Sequence, residues 1–142
     1  MVSVIGIGID AVDIDRLRTI LERTPTFADR VFAQGELAYA RQANDPTERL
    51  AARFAAKEAF LKALGEGLGA CAMGDVEVIR ASSGAPSLRL GPTAAELSAR
   101  HGVISWEISL THTETKAVAV ALAVGISSTG ATSRSVHAEA TG

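Results

Sequence analysis

Lysine is scarce in this chain of 142 residues: Lys57, Lys62 and Lys116 stand against eleven arginines. Cysteine occurs once, at Cys71, so no disulfide can close within one copy, and a reducing, cytoplasmic setting fits that usage. Aromatic residues make up only 4%, which leaves aliphatic side chains and alanine to build a core. The longest apolar runs, such as Ala117 to Val124, fall well below the ~18 residues of a membrane span, and no Lys/Arg-rich leader opens the chain. A protein that neither crosses a membrane nor is exported is therefore expected. A formal net charge of -2 and a pI near 5.9 argue against a general electrostatic affinity for nucleic acid, so anion binding has to come from a local patch.

What is present suffices for one domain. At 47% apolar and 21% charged residues the composition is that of a globular chain, and one of this length buries roughly 68–70% of its unfolded surface. Val2 to Ile9 is an almost unbroken β-branched run and reads as a buried strand ending at Asp10. From Asp13 the apolar spacing turns helical, and Pro25 closes that helix. A short helix is expected over Glu36 to Arg41. Asn44-Asp45-Pro46 marks a turn, and Thr47 is placed to cap a long helix from Glu48 to about Leu64, stopped by Gly65, Gly67 and Gly69. A hairpin at Val76–Arg80 and Ser87–Leu90, a helix from Pro92 to Arg100, and strands Ile104–Thr111 and Lys116–Val124 complete the order. From Ser127 onward the composition collapses to Ser, Thr, Ala and Gly, which reads as a flexible tail.

Three groups of residues could carry chemistry. Gly6-Ile7-Gly8-Ile9-Asp10-Ala11 superficially matches a dinucleotide-binding fingerprint, but no second parallel strand follows within the required distance. Asp10 is either a cap or a hard-metal ligand at a strand exit. On the long helix, Glu58 lies beside an apolar stripe, where a carboxylate is costly unless it is paired or holds a cation. Glu58 and Lys62 form an i,i+4 couple, and a solvated ion pair is the plain alternative. With alanines at 55, 56, 59 and 63 leaving room for close approach, Asp10 and Glu58 could supply two oxygens to Mg²⁺, while Lys57 and Lys62 meet phosphate as point charges. The third group is Ser109-Leu110-Thr111-His112 at a strand end, where a lone histidine is as readily structural as functional. No nucleophile elbow, P-loop or zinc spacing accompanies these residues.

Gly6-Ile7-Gly8-Ile9-Asp10, Arg53-Phe54-Ala55-Ala56-Lys57-Glu58-Ala59-Phe60-Leu61-Lys62-Ala63 and Ser109-Leu110-Thr111-His112, in this order and spacing, closely resemble the holo-acyl-carrier-protein synthases, the short 4'-phosphopantetheinyl transferases. The resemblance runs from Val2 to about Val124 and implies an α+β fold with an antiparallel sheet against a long central helix. It implies a transferase domain over residues 1–125, which leaves 126–142 as a flexible tail beyond the family's pattern, and assembly as a homotrimer with sites at subunit boundaries. It further implies transfer of 4'-phosphopantetheine from coenzyme A to a serine of an acyl carrier protein in fatty-acid biosynthesis, with Mg²⁺ as cofactor. By that resemblance Asp10 and Glu58 hold the metal and, with Lys62, form the catalytic set. Lys57, Lys62, Gly65 and Gly67 lie along the coenzyme A phosphates, Pro86 lies in the turn that holds the adenine, and His112 approaches the nucleotide end. Glu58 is the first choice to receive the serine proton, directly or through a bound water. Arg16, Arg23 and Arg30, at seven-residue intervals, are candidates to meet the acidic carrier protein. The alternatives are a non-catalytic coenzyme A or nucleotide-binding module, in which Asp10 and Glu58 are structural, and a purely structural interaction domain.

Overall fold

Alanine spacing along the longest helix shapes the architecture, because Ala51, Ala55, Ala56 and Ala59 let sheet and hairpin close on it between its leucines and phenylalanines. A computed structural model of the protein describes residues 1–126. Its elements run β1 (Val2–Asp13), α1 (Ile14–Arg23), α2 (Thr26–Val31), α3 (Gln34–Ala40), α4 (Thr47–Ala63), β2 (Val76–Arg80), β3 (Pro86–Leu90), α5 (Pro92–Arg100), β4 (Val103–His112) and β5 (Lys116–Ile126). Strands β1, β5 and β4 form one antiparallel sheet in that order, and β2 pairs with β3 in a separate hairpin. The expected α+β fold is present. Because β1 pairs antiparallel to β5, the dinucleotide-binding arrangement is excluded.

Helix α4 is the core of the molecule. Ala51, Ala55, Ala56 and Ala59 are wholly buried, and β1 and β5 pack on one side of the helix while α3 and β2 pack on another. At its start the expected cap differs in detail. Thr47 is the first helical residue, and its backbone N–H donates to Asp45 Oδ1 at 3.0 Å, so Asp45 supplies the capping oxygen. Helix α2, which sequence pattern missed, begins directly after Pro25, since proline is compatible with a helix start as well as a helix end. Strand β5 reaches Ile126, so residue 126 belongs to the sheet; the rest of the segment assigned as a tail lies outside the described residues.

Strand β1 departs from expectation in an instructive way. It runs on to Asp13, and its bulky residues do not face the core: Ile7 and Ile9 are 65% and 61% exposed. Gly6, Gly8 and Asp10 face α4 instead. A Cβ at Gly8 would lie 1.9 Å from the Ala59 carbonyl oxygen, and one at Gly6 would lie 1.9 Å from that of Ala63. The glycines therefore exist for backbone-to-backbone approach, and the side chains that alternate with them point to the opposite face. On that outer face Ile9 stands beside Val120 and Ser109, and Ile7 beside Leu122 and Glu107.

Candidate functional site

Continuing the inward row of β1 by one step places Asp10 over α4 at Lys62 and Glu58. Asp10 is buried, and its Oδ1 accepts from Lys62 Nζ at 2.9 Å, a contact that raises the Lys62 pKa. Lys62 Nζ also donates to the Ile9 carbonyl at 3.3 Å. The lysine thus leans back to the strand, where a helical i,i+4 pair with Glu58 had been the plain alternative. Asp10 Oδ2 is buried and has no hydrogen-bond partner among the described residues, which is costly for a carboxylate unless a ligand completes it. Glu58 sits half-buried alongside. Burial first, and then the neighbouring Asp10 carboxylate, push its pKa up to about 7.

Two hard oxygen donors, one of them orphaned, that resist sharing the site as anions form a place where a divalent cation relieves both penalties. Among the described residues no group of three or more His, Cys, Asp or Glu side chains gathers. Two carboxylates could hold a hard cation only if water or a bound phosphate filled its remaining positions, a donor set closer to what Mg²⁺ accepts than to the full protein cage other metals want. Gly65, with φ of +67°, ends α4 just beyond Lys62, and Gly67 follows with open space around it. Between them Glu66 meets His101 at 3.1 Å, tying this turn to the end of α5.

Lys57 requires a correction. It is fully buried, with Nζ at 2.6 Å from Glu36 Oε1, 2.6 Å from the Val76 carbonyl and 3.0 Å from the Met73 carbonyl. Burial lowers its pKa and Glu36 opposes that. Its ammonium cannot lie along a phosphate at the surface, because one helical step from Glu58 turns it about 100° away from the carboxylates and toward β2. Glu36 completes the knot: Oε1 also accepts from Ala33 N–H at 2.9 Å, and Oε2 from Val78 N–H at 3.1 Å. Lys57 is an internal tie between α4, α3 and the hairpin.

Pro86 and His112 lie at the other end of α4, in a groove of about 510 Å³ that also includes Tyr39, Arg49, Arg53 and Arg80. His112 Nε2 stands 3.7 Å from Glu48 Oε2. Glu48 precedes Glu58 by ten residues, so the two ends of the site are about 15 Å apart along the helix. Within one chain the carboxylate pair and His112 do not meet. The arginines of this groove were not singled out from sequence. Arg53 stood inside the quoted motif, and its i,i+4 spacing from Arg49 was the available signal. Arg16, Arg23 and Arg30 are all exposed, and none of their side chains is ion-paired among the described residues. Arg16 and Arg23 lie on α1 and Arg30 on α2, so Pro25 breaks any continuous stripe.

Known proteins share this sequence pattern and fold. The 4'-phosphopantetheinyl transferase superfamily profile matches residues 6–123. A holo-[acyl-carrier-protein] synthase of Frankia casuarinae is 47% identical over 121 residues, which is 85% of this chain and 98% of that protein. An acyl carrier protein synthase of Plasmodium yoelii, solved with ADP bound, superposes with a TM-score of 0.80 at 32% identity, covering 89% of this chain and 99% of that one. A holo-(acyl-carrier-protein) synthase of Bacillus anthracis in complex with CoA (3',5'-ADP) gives 0.72 at 30% identity, over 87% of this chain and 98% of its own. With the glycine-backed Asp10, the half-buried Glu58 and the antiparallel sheet all inside the matched span, this chain belongs to the 4'-phosphopantetheinyl transferase superfamily.

Proposed function

We propose that this protein is a holo-[acyl-carrier-protein] synthase: it transfers 4'-phosphopantetheine from coenzyme A to a serine of an apo-acyl carrier protein, releasing 3',5'-ADP, in the cytoplasmic fatty-acid pathway. The observation that carries the proposal is the buried, unpartnered Oδ2 of Asp10 beside a Glu58 whose proton is held to about 7. Mg²⁺ bound by these two carboxylates supplies charge neutralisation to the pyrophosphate and to the departing nucleotide. Lys62 rests on Asp10 and is 55% exposed, so its ammonium is free to contact a phosphate oxygen while keeping its carboxylate partner. The serine oxygen forms a bond to the pantetheine-bearing phosphorus as the phosphoanhydride bond to 3',5'-ADP breaks. The serine proton passes to a Glu58 carboxylate oxygen, directly or through a bound water.

The open turn at Gly65 and Gly67 borders the phosphates. Pro86 and His112 border the adenosine, and Arg49, Arg53 and Arg80 receive its 3'-phosphate. Arg16, Arg23 and Arg30 present their exposed charge to the acidic carrier protein. The working assembly is a homotrimer, in which the apolar outer face of the β1–β5–β4 sheet is covered and the His112 end of one copy faces the Asp10 end of the next. This accounts for both the exposure of Ile7 and Ile9 and the separation of the two half-sites.

The test incubates the protein with coenzyme A, Mg²⁺ and apo-acyl carrier protein and follows the carrier by mass spectrometry. A mass gain of one phosphopantetheine, lost on chelation and in Asp10→Ala, is expected. Coenzyme A binding with no covalent product would leave a non-catalytic binding module and reject the proposal.

A further inference from the structure

Guanidinium groups repel, so three of them meeting at one point call for an acid or for another surface that tolerates positive charge. Arg49, Arg53 and Arg80 meet on the ring of Tyr39: their Cζ atoms lie 4.2, 4.4 and 4.9 Å from its centroid. Tyr39 also holds two of them by other atoms. Its carbonyl accepts from Arg49 Nη1 at 2.8 Å, and its phenol oxygen contacts Arg80 Nη1. Arg53 Nη1 donates in turn to the Arg49 carbonyl at 3.1 Å.

No carboxylate among the described residues pairs with any of the three. The acids nearby are engaged elsewhere: Glu36 with Lys57, Glu77 with Arg89, Asp45 with Arg18, and Glu48 toward His112. Arg53 is only 5% exposed, yet its Nε has no partner among the described residues. Cavities of about 400 and 510 Å³ flank the cluster, and Tyr39, Arg53, Arg80 and Gly84 line both.

An acid at position 39 would gather the arginines but would also spend their charge. An aromatic face gathers them through its quadrupole and leaves the charge available to a ligand. We infer that Tyr39 is a specificity-determining positioning residue: it collects Arg49, Arg53 and Arg80 into one receptor for a phosphate monoester dianion, and so sets the preference for a donor that carries the 3'-phosphate over the same donor without it. This rests on the transferase reading for its substrate, although the receptor itself is open to test by binding alone.

The experiment compares coenzyme A with 3'-dephospho-coenzyme A as donors for wild type, Tyr39→Leu and Tyr39→Phe, and measures calorimetric binding of adenosine 3',5'-bisphosphate against adenosine 5'-monophosphate. Tyr39→Leu is expected to reduce the wild-type preference for the 3'-phosphorylated molecule about tenfold in both measurements, through KM rather than kcat. Tyr39→Phe keeps the ring and all three guanidinium contacts with it, loses only the phenol oxygen's contact with Arg80, and should lose about threefold or less. Should Tyr39→Leu not fold, a cycle of Tyr39→Phe and Arg80→Gln decides, since a shared contact requires the two losses to be non-additive. Equal loss for both donors, an unchanged preference, or an additive cycle overturns the assignment. Absence of carrier modification with either donor would refute the transferase reading and leave the calorimetric comparison to judge Tyr39.

Discussion

Glu58 ties the proposed chemistry to a stability signature that can be read without any substrate. Its carboxyl titrates near 7 in the folded protein instead of 4.5, because burial and Asp10 both penalise the anion. A folded-state pKa raised in an acid means that the folded protein binds the extra proton. The resulting contribution is present below pH 4.5 and is lost as pH rises toward 7. Full desolvation would make this loss roughly 3 kcal/mol, and since Glu58 is only half-buried, solvent screening reduces it to about 1–2 kcal/mol. Thermal unfolding of wild type and Glu58→Gln, followed by circular dichroism from pH 5 to 8 at fixed protein concentration and without divalent ions, isolates the effect. The Gln variant should gain on wild type by about 2–6 °C across that window. Adding Mg²⁺ at pH 8 should close the gap by stabilising wild type more than the variant. A difference between the two proteins that stays flat from pH 5 to 8 would refute the placement of Glu58 beside a second carboxylate.

Four other outcomes follow from the same structure. Lys57→Met strands Glu36 without its cation and should cost about 3–5 kcal/mol in denaturant unfolding, much of it recovered in the Lys57→Met/Glu36→Gln double variant. Gly8→Ala drives a methyl into the Ala59 carbonyl, so it should cost at least about 2 kcal/mol and lower kcat by displacing Asp10 from Glu58. Arg16→Glu should raise KM for the carrier protein, leave kcat nearly unchanged and flatten the salt dependence of kcat/KM, as read in steady-state assays across ionic strength. Ile9→Arg puts a charge on the outer sheet face and should lower the assembled mass in analytical ultracentrifugation; an unchanged mass would argue against that face as the contact between copies.

Sequence pattern located the hairpin, the last two strands and α4 to within a few residues, because alternation, helical spacing and Gly/Pro punctuation are local signals. It placed Asp10 and Glu58 as one candidate pair by combining a strand exit with a carboxylate on an apolar helix stripe. It misassigned the direction of side chains at two places for a common reason. Lys57 looked like its neighbour Lys62, but adjacent helical positions face different partners, and only the position of Glu36 on α3 shows which way Lys57 turns. The isoleucines of β1 looked like core, since a continuous apolar run does not reveal which of its two faces a sheet buries; the glycines at alternate positions were the better indicator. The Tyr39 cluster was invisible because it joins α3, α4 and β2 through contacts that have no sequence period.

The contact of β1 with α4 at Gly6 and Gly8 involves peptide groups on both sides. Main-chain atoms are the same in every protein, so the spacing they impose owes nothing to which aliphatic residues fill the remaining interior. Exchanges among the leucines and valines elsewhere can drift while Asp10 and Glu58 keep their relative placement, provided those two positions remain without a side chain.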